Sequence, residues 1–308
     1  MIFNFFLGNH RAGGLKGMPD LILPIRQGLM ELGHHVITYG LNLRPAPAVN
    51  LLVEFFSEDG PVDELIRLKT QARDGFIFGI ICTEDIEDRL VMEQPEFPRR
   101  RPNLERLLPV ADFVWTLLPQ AGAYEALAGP GKVELLEYGF SQRLLARRII
   151  REPGLRDIDV LMYGNETPYR KPIVEQLRQR GLTCFVTNRQ LFPDFIASDF
   201  VTRSKVVLDL RRGPGVRYPS PTRICKSLHG GVLVAAEHLG DSGIANLYNY
   251  TVACRYDELT DRCEQIVRSG MFVNLGLAAL EKFKTETSMA TNMKRILRSP
   301  TFARLAPG

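Results

Sequence analysis

The segment from Ser220 to Glu237 contains residue types that could bind phosphate. Ser220 and Thr222 supply hydroxyl groups just before a short predicted helix at Thr222–His229, and Arg223 lies in its first turn. A helix N-terminus favours bound anions through its free N–H groups and its dipole. The sequence therefore predicts a phosphate site at this helix, and a nucleotide diphosphate is the first ligand to consider.

The same helix carries Lys226, three residues after Arg223 and on the same face. Together with the Ser220 and Thr222 hydroxyls, these two cations would form a cradle for a diphosphate. The alternative is structural, with Arg223 paired to an acid such as Glu237. The glycines at 230 and 231 are expected to end the helix and to permit close packing on the following strand.

A glycine turn begins at Gly164, after a predicted strand at Val160–Tyr163. Asn165 follows it, and Arg170 and Lys171 lie close to the N-terminus of the next predicted helix. Positive charge is unfavourable there because of the helix dipole, so this placement indicates an anion to neutralise. Solvent exposure of both cations is the equal alternative.

A second glycine-containing turn follows the first predicted strand, with Gly8, Gly13 and Gly14 around His10. Glycines at such a turn allow a ligand to approach the backbone closely, although the spacing differs from the dinucleotide pattern GxGxxG. His10 is a candidate general base near neutral pH. A structural hydrogen bond within the loop is the alternative.

Two acidic residues, Glu84 and Asp85, follow the predicted strand Phe76–Ile81. Carboxylates just past the carboxyl end of a strand lie where α/β folds bind ligands. Either residue could orient an acceptor hydroxyl or take its proton, and Glu84 is the second candidate for a catalytic base. Either could instead cap the next segment.

The elements that would position these residues alternate between apolar runs of strand length and amphipathic helices. One helical repeat of leucine and isoleucine ends at Gly33, as expected for a glycine C-cap. The predicted strands are Ile2–Leu7, Val36–Tyr39, Leu51–Phe55, Phe76–Ile81, Phe113–Leu117, Val133–Leu136, Val160–Tyr163, Cys184–Thr187, Val206–Leu210, Val232–Ala236 and Thr251–Cys254. Such alternation predicts parallel sheets covered by helices on both faces.

A chain of 308 residues suits two domains rather than one. We predict a Rossmann-like domain over residues 1–145, a linker over 146–157, a second Rossmann-like domain over 158–285 and a C-terminal helix over 286–308, whose return to the first domain is left open. One helical stretch is expected from Leu275 to about Leu297. Two doubly wound α/β domains would face each other across a cleft at the carboxyl ends of both sheets.

The composition, 45% hydrophobic and 24% charged with a net charge of +4, is that of a globular protein. Because acidic and basic residues are interleaved, we expect no nucleic-acid partner. The Arg99–Arg101, Arg147-Arg148 and Arg211-Arg212 clusters are expected to be solvated surface, with peripheral membrane contact left open. The five scattered cysteines predict reduced thiols of a cytoplasmic protein without a metal site. No apolar run reaches the ~20 residues that span a bilayer.

The second half, over roughly Asp157 to Leu297, resembles the group 1 glycosyltransferases of the two-domain GT-B fold. The run PTRICKSLHGGVLV from Pro221 is similar to the family's arginine, Glu-Ala-Leu-Ala-Cys-Gly helix and hydrophobic strand. A preceding strand at Val206–Leu210 and a following helix at Asp257–Ser269 are in register with that family. The first half resembles it more loosely, in its Gly-Gly turn and its Leu-Gly-His-His-Val segment.

The resemblance implies a nucleotide-sugar donor bound by the second domain and an acceptor bound mainly by the first. The implied donor-binding residues are Gly14, Gly164, Asn165, Arg170, Lys171, Ser220, Thr222, Arg223 and Lys226. Lys226 departs from the family, which has a glutamate there that would contact the ribose. No cofactor or metal is implied, because cationic side chains and the helix dipole would stabilise the departing diphosphate.

Taken together, these features predict a metal-independent, cytoplasmic glycosyltransferase of carbohydrate biosynthesis. It would move a sugar from a nucleotide-diphosphate sugar to the hydroxyl of a carbohydrate, lipid or other acceptor, with His10 or Glu84 as the base. Two alternatives stay open. One is a nucleotide-sugar epimerase on the same fold, and the other is a non-catalytic nucleotide-sugar-binding module, which Lys226 favours.

Overall fold

The computed structural model describes residues 1–8, 18–145, 150–187, 193–238 and 245–305. The chain divides into two compact units. The first comprises Met1–Leu15, Ile25–Glu137 and Met289–Gly308, and the second comprises Lys16–Pro24 and Tyr138–Ser288.

Strands and helices alternate along the described residues. The strands are β1 (Ile2–Phe6), β2 (His35–Gly40), β3 (Ala48–Val53), β4 (Ile77–Cys82), β5 (Phe113–Thr116), β6 (Val133–Leu135), β7 (Ile158–Met162), β8 (Cys184–Val186), β9 (Ser204–Asp209), β10 (Leu233–Glu237) and β11 (Val252–Cys254). The helices are α1 (Met18–Glu31), α2 (Asp59–Ala72), α3 (Arg89–Met92), α4 (Arg100–Leu107), α5 (Ala121–Ala128), α6 (Gln142–Leu145), α7 (Lys171–Gln179), α8 (Asp194–Thr202), α9 (Pro221–His229), α10 (Ala245–Tyr248), α11 (Leu259–Ser269), α12 (Phe272–Glu286), α13 (Met289–Leu297) and α14 (Pro300–Ala303). Short 3-10 turns lie at Arg73–Gly75, Leu108–Val110, Pro153–Leu155 and Tyr256–Glu258.

The first unit is built on a six-stranded parallel sheet in the order β2-β1-β3-β4-β5-β6. Every residue of β3 and β4 is buried, as expected in a sheet covered on both faces, and the one polar residue of β3, Asn50, is hydrogen-bonded. The C-terminal helices belong to this unit. The Phe302 ring of α14 packs against Phe113 and Phe3, with ring centres 5.2 and 6.0 Å apart.

The second unit is built on a five-stranded parallel sheet in the order β11-β10-β9-β7-β8. Close packing beside the Gly230–Gly231 pair involves α12, whereas the sequence predicted it for the preceding helix on the next strand. A Cβ on Gly276 of α12 would lie 2.9 Å from the carbonyl oxygen of Gly231, so α12 can pack there only through a glycine.

All eleven strands predicted from the sequence are present, with ends shifted by a few residues. The prediction of an α/β fold with two Rossmann-like sheets is therefore confirmed. The single helix predicted from Leu275 to Leu297 is wrong in one respect, because it is divided into α12 and α13. Thr287 adopts an extended backbone and its carbonyl accepts the Phe140 N–H at 3.0 Å, which interrupts the helical hydrogen bonds.

Candidate functional site

The carboxyl ends of β7 and β9 and the N-terminus of α9 meet in the second unit. Asp209, the last residue of β9, contacts Nη1 of Arg223 with one carboxylate oxygen. Its other oxygen accepts the backbone N–H of Ser220 at 3.1 Å. The end of the strand therefore fixes both the start of α9 and the guanidinium in its first turn.

Arg223 is buried, with 7% of its surface exposed. Its Nε donates to the Tyr163 carbonyl at 3.1 Å, and the guanidinium lies over the Tyr163 ring, 5.4 Å from its centre. The pairing with an acid that the sequence left open does occur, but the acid is Asp209 and not Glu237. No residue in the described part of the chain accepts a hydrogen bond from Nη2 of Arg223, so this group can still donate to a ligand.

Gly164 lies directly in front of that free Nη2. Its φ of +131° is one that residues with a side chain rarely adopt. A Cβ at this position would lie 3.1 Å from Nη2 of Arg223 and 3.3 Å from Nη1 of Arg170. The glycine therefore keeps open a small space faced by two guanidinium groups.

Arg170 is buried and held by three carbonyl groups. It donates to Asn165 at 2.8 Å, to Arg211 at 2.8 Å and to Leu210 at 2.6 Å. Burial, followed by the positive charge of Arg223, lowers the pKa of Arg170 to about 9. Two like charges this close disfavour each other, and an anion placed between them would relieve that repulsion.

The hydroxyl groups predicted to bind phosphate lie at the N-terminus of α9. Ser220 is the N-cap, and its Oγ accepts the Arg223 N–H at 3.4 Å. Thr222 Oγ1 lies 3.1 Å from that same oxygen. The predicted Ser220, Thr222, Arg223, Gly164, Asn165 and Arg170 are thus brought together by the fold.

Two other predicted donor-binding cations have different surroundings. The Lys171 side chain is 60% exposed and lies 3.6 Å from Glu175 on the same helix. The Lys226 side chain is only 2% exposed, and its Nζ contacts Asp20 and, at 3.1 Å, Asp194. Both carboxylates belong to first turns of helices, so Lys226 joins the first turn of α1 to that of α8, and both turns lie in the second unit.

A second group of polar residues surrounds Glu237 at the end of β10, and the sequence had indicated neither Tyr169 nor the pairing of Glu237 with Arg211. The Glu237 carboxylate accepts hydrogen bonds from Tyr169 and Arg211. Burial raises the pKa of Tyr169 to about 12, and the hydrogen bond to Glu237 acts in the same direction. The one signal in the sequence was position, because Asp209 is the last but one residue of the predicted strand Val206–Leu210 and Glu237 directly follows the predicted strand Val232–Ala236.

In the first unit, Glu84 lies just beyond β4. Its backbone N–H donates to the Glu54 carboxylate at 2.7 Å, and its carbonyl accepts from Gln120 at 2.8 Å and lies 3.0 Å from the Tyr124 hydroxyl. The Glu84 carboxylate forms no hydrogen bond with any described residue. Asp85 differs, because its carboxylate accepts the Glu87 N–H at 3.0 Å and so caps the local turn.

The expectation that the arginine clusters are solvated surface is wrong for two of their members. Arg100 is 5% exposed, and its guanidinium lies 3.6 Å from Glu54 and over the Phe55 ring. Arg211 is largely buried against Glu237. Both arginines pair with buried carboxylates, and the overall composition of the sequence cannot reveal such pairs.

The predicted site residues His10 and Gly14, and the pair Arg147-Arg148, lie outside the described residues.

Comparison with solved structures gives matches over nearly the whole chain. An alpha-glucosyltransferase in complex with UDP and a 13-mer DNA containing an HMU base matches with a TM-score of 0.64 and 7% identity, covering 96% of this chain and 98% of that one. A DNA-modifying beta-glucosyltransferase matches with a TM-score of 0.56 and 13% identity, covering 97% and 99%. The fold is that of GT-B glycosyltransferases. AviGT4, a glycosyltransferase involved in avilamycin A biosynthesis, also matches, with a TM-score of 0.55 and 13% identity over 99% and 97%.

No protein-family model matches the chain, and a search of curated proteins finds no match either. At 7–13% identity, the solved structures establish the fold alone.

The first of these neighbours overturns one sequence-based inference. The expectation that the chain has no nucleic-acid partner is wrong, because a protein of this fold and length is bound to DNA. Net charge is an average over the whole surface, whereas contact with DNA depends on where the basic residues are concentrated.

Among the described residues, no helix is both long and apolar enough to cross a bilayer.

Proposed function

We propose that the protein is a glycosyltransferase whose second unit binds a nucleotide-diphosphate sugar. The observation that carries this proposal is the space in front of Gly164, faced by the free Nη2 of Arg223 and by Nη1 of Arg170. It lies at the carboxyl ends of parallel strands, where doubly wound folds bind ligands. The N-terminus of α9 adds its dipole to the two guanidinium charges.

These groups suit the leaving-group side of a sugar transfer. When the bond between the anomeric carbon and the diphosphate oxygen breaks, its electron pair and the negative charge pass to the diphosphate. The acceptor hydroxyl oxygen forms the new bond to the anomeric carbon and gives its proton to a base. Fixed positive groups beside the diphosphate stabilise the charge that develops on it, so we assign no metal to the reaction.

We propose Glu84 as the residue that orients the acceptor hydroxyl or takes its proton, with His10 as the other candidate. The support for Glu84 is its carboxylate, which has no hydrogen bond to the described residues although its backbone is held on both sides. The remaining predicted donor residues, Gly14, Asn165, Lys171, Ser220, Thr222 and Lys226, stay candidates. The cytoplasmic location and a role in carbohydrate biosynthesis also stay predictions.

We propose that the acceptor is a hydroxyl group of a saccharide, a lipid or DNA. DNA containing an HMU base is included because the alpha-glucosyltransferase of the same fold is bound to such DNA.

The proposal is tested with the purified chain, a panel of nucleotide-diphosphate sugars and these acceptors, with released nucleotide diphosphate as the measurement. We expect release by the unsubstituted chain and its loss in Arg223→Ala. Arg180→Ala is the matched control, since Arg180 is an arginine of the same unit that is paired with Asp261 and Glu264 at the surface. Nucleotide binding without turnover on any acceptor would favour the binding module instead.

A further inference from the structure

The buried carboxylate of Glu54 lies next to Glu84 in the first unit, and the reaction as described makes no use of it. Glu54 immediately follows β3, and its side chain is 1% exposed. Its Oε1 accepts three hydrogen bonds, from Thr83 N at 3.0 Å, Thr83 Oγ1 at 3.1 Å and Glu84 N at 2.7 Å. A single oxygen atom therefore binds both Thr83 and Glu84, the two residues that follow β4.

The other carboxylate oxygen of Glu54 accepts the Tyr124 hydroxyl of α5 at 3.1 Å. The same hydroxyl lies 3.0 Å from the Glu84 carbonyl. Tyr124 thus contacts both the carboxylate that holds the Glu84 amide and the carbonyl on the other side of Glu84. The backbone of Glu84 is fixed at both ends, by Glu54, the residue after β3, and by Tyr124 of α5.

We propose that Glu54 is a positioning residue for Glu84. It fixes the backbone of the turn so that the Glu84 carboxylate is presented in one orientation, with Tyr124 completing the clamp. This inference rests on the proposed function, because it gives Glu84 the role of acceptor-orienting group or base. A residue held within a few tenths of an ångström of its reactive position loses less entropy on reaching it.

The groups around Glu54 determine whether its carboxylate is charged. Arg100 of α4 lies 3.6 Å away, Glu84 lies on the adjoining turn, and the Cys82 thiol and the Tyr124 hydroxyl are buried beside it. Burial raises the pKa of Glu54 to about 7, Arg100 opposes that rise and Glu84 adds to it. Near neutral pH the clamp can therefore exist with or without its negative charge.

The experiment compares Glu54→Ala and Glu54→Gln in the full chain. Glutamine keeps a carbonyl oxygen that can accept the Thr83 and Glu84 amides, whereas alanine removes it. Asp112→Ala is the matched control, because Asp112 is a carboxylate of the same unit that accepts the Phe78 N–H at 2.9 Å and contacts Lys69. Phe78 lies towards the start of β4, whereas Glu84 lies beyond its end.

The first measurement is amide hydrogen exchange by NMR, which requires no activity. We expect Glu54→Ala to accelerate exchange at Thr83 and Glu84 at least tenfold, and Glu54→Gln to change it less than threefold. Asp112→Ala should accelerate exchange at Phe78 and leave Thr83 and Glu84 unchanged. Unchanged protection of Thr83 and Glu84 in folded Glu54→Ala would overturn the clamp, whether or not the chain is an active transferase.

The second measurement is turnover on the acceptor found for the unsubstituted chain. We expect Glu54→Ala to lower kcat at least tenfold, with the donor KM changed less than twofold, and Glu54→Gln to restore most of kcat. Glu54→Ala should lower kcat no further in a chain that already carries Glu84→Gln. An undiminished kcat in Glu54→Ala would overturn the positioning role alone, whereas no turnover by the unsubstituted chain would overturn the proposed function.

Discussion

The Asp209 carboxylate joins Arg223 to the start of α9, because one oxygen contacts Nη1 of the guanidinium and the other accepts the Ser220 amide. The pair is buried, with Asp209 2% and Arg223 7% exposed. A buried charge that loses its partner is strongly destabilising, because neither water nor another charge replaces it. The pair therefore matters for the fold of the second unit as well as for the proposed donor site.

We expect Asp209→Ala to lower the free energy of unfolding by about 3–5 kcal/mol, the range measured when one partner of a buried ion pair is removed. Urea denaturation followed by circular dichroism is the measurement. Asp159→Ala is the control, because Asp159 also pairs with a cation, Lys205, and accepts a backbone amide, but its pair is more exposed. Equal losses in the two variants would show that the deeper burial of the Asp209 pair adds nothing to its contribution.

Gly164 is expected to be essential for binding the donor because of what a side chain would obstruct. Gly164→Ala would place a methyl group in the space between the two guanidinium groups, and we expect at least a tenfold loss of UDP affinity, or about 1.4 kcal/mol. Because alanine is strained at this positive φ, the substitution should also lower the free energy of unfolding by about 1–3 kcal/mol. Isothermal titration calorimetry with UDP measures the affinity.

Gly181→Ala separates obstruction from strain. Gly181 also has a positive φ, +80°, in the same unit, but a Cβ there would have no atom within 4 Å. We expect this variant to lose stability in a similar way and to keep its UDP affinity. A comparable loss of affinity in both variants would remove the argument for a phosphate in front of Gly164.

Local patterns in the sequence were sufficient to predict the sheets. A strand such as β4 is a continuous apolar run, and that pattern is set by burial on both faces wherever the strand lies. The C-cap at Gly33 was also predictable, because its φ of +82° is a local requirement that glycine meets best. The start of α9, which lies one residue before the predicted Thr222, was predictable for the same reason, since capping and dipole effects act within one turn.

The pairings that decide which charges remain free were not predictable. Lys226 contacts Asp20, which is 206 positions away in the chain, and Glu54 binds Tyr124 across 70 positions. Such contacts depend on which strand ends and helix termini the topology brings together, and no spacing rule encodes them. For this reason the sequence placed Lys226 among the donor-binding cations, although its ammonium group is already held by two carboxylates.

Lys226→Met tests whether that lysine is structural. Its removal would leave Asp20 and Asp194 facing each other without the cation, so we expect a lower melting temperature and a UDP affinity changed less than threefold. Adding Asp20→Asn and Asp194→Asn should recover part of the lost stability, because the uncompensated charges are then gone. A loss of UDP affinity above tenfold in a folded Lys226→Met chain would instead support the donor-binding role predicted from the sequence.

The raised pKa of Glu54 should be visible in the pH dependence of the free energy of unfolding. Its pKa is raised from 4.5 to about 7 in the folded chain, chiefly by burial. Between these two values the folded state holds a proton that the unfolded state has lost, so Glu54 makes the free energy of unfolding fall as pH rises. A difference of this size corresponds to about 3 kcal/mol over that interval. Above pH 7 both states are ionised at this position and the contribution becomes constant.

The glutamine in Glu54→Gln does not ionise. The stability of this variant relative to the unsubstituted chain should therefore increase by about 3 kcal/mol from pH 4.5 to pH 7 and then level off. Urea denaturation of both chains at half-unit intervals of pH measures this difference. Glu64→Gln is the control, because Glu64 is an exposed carboxylate of the same unit, paired with Arg67. A difference curve for Glu54→Gln as flat as that for Glu64→Gln would mean that Glu54 is ionised throughout, as expected if Arg100 outweighs burial.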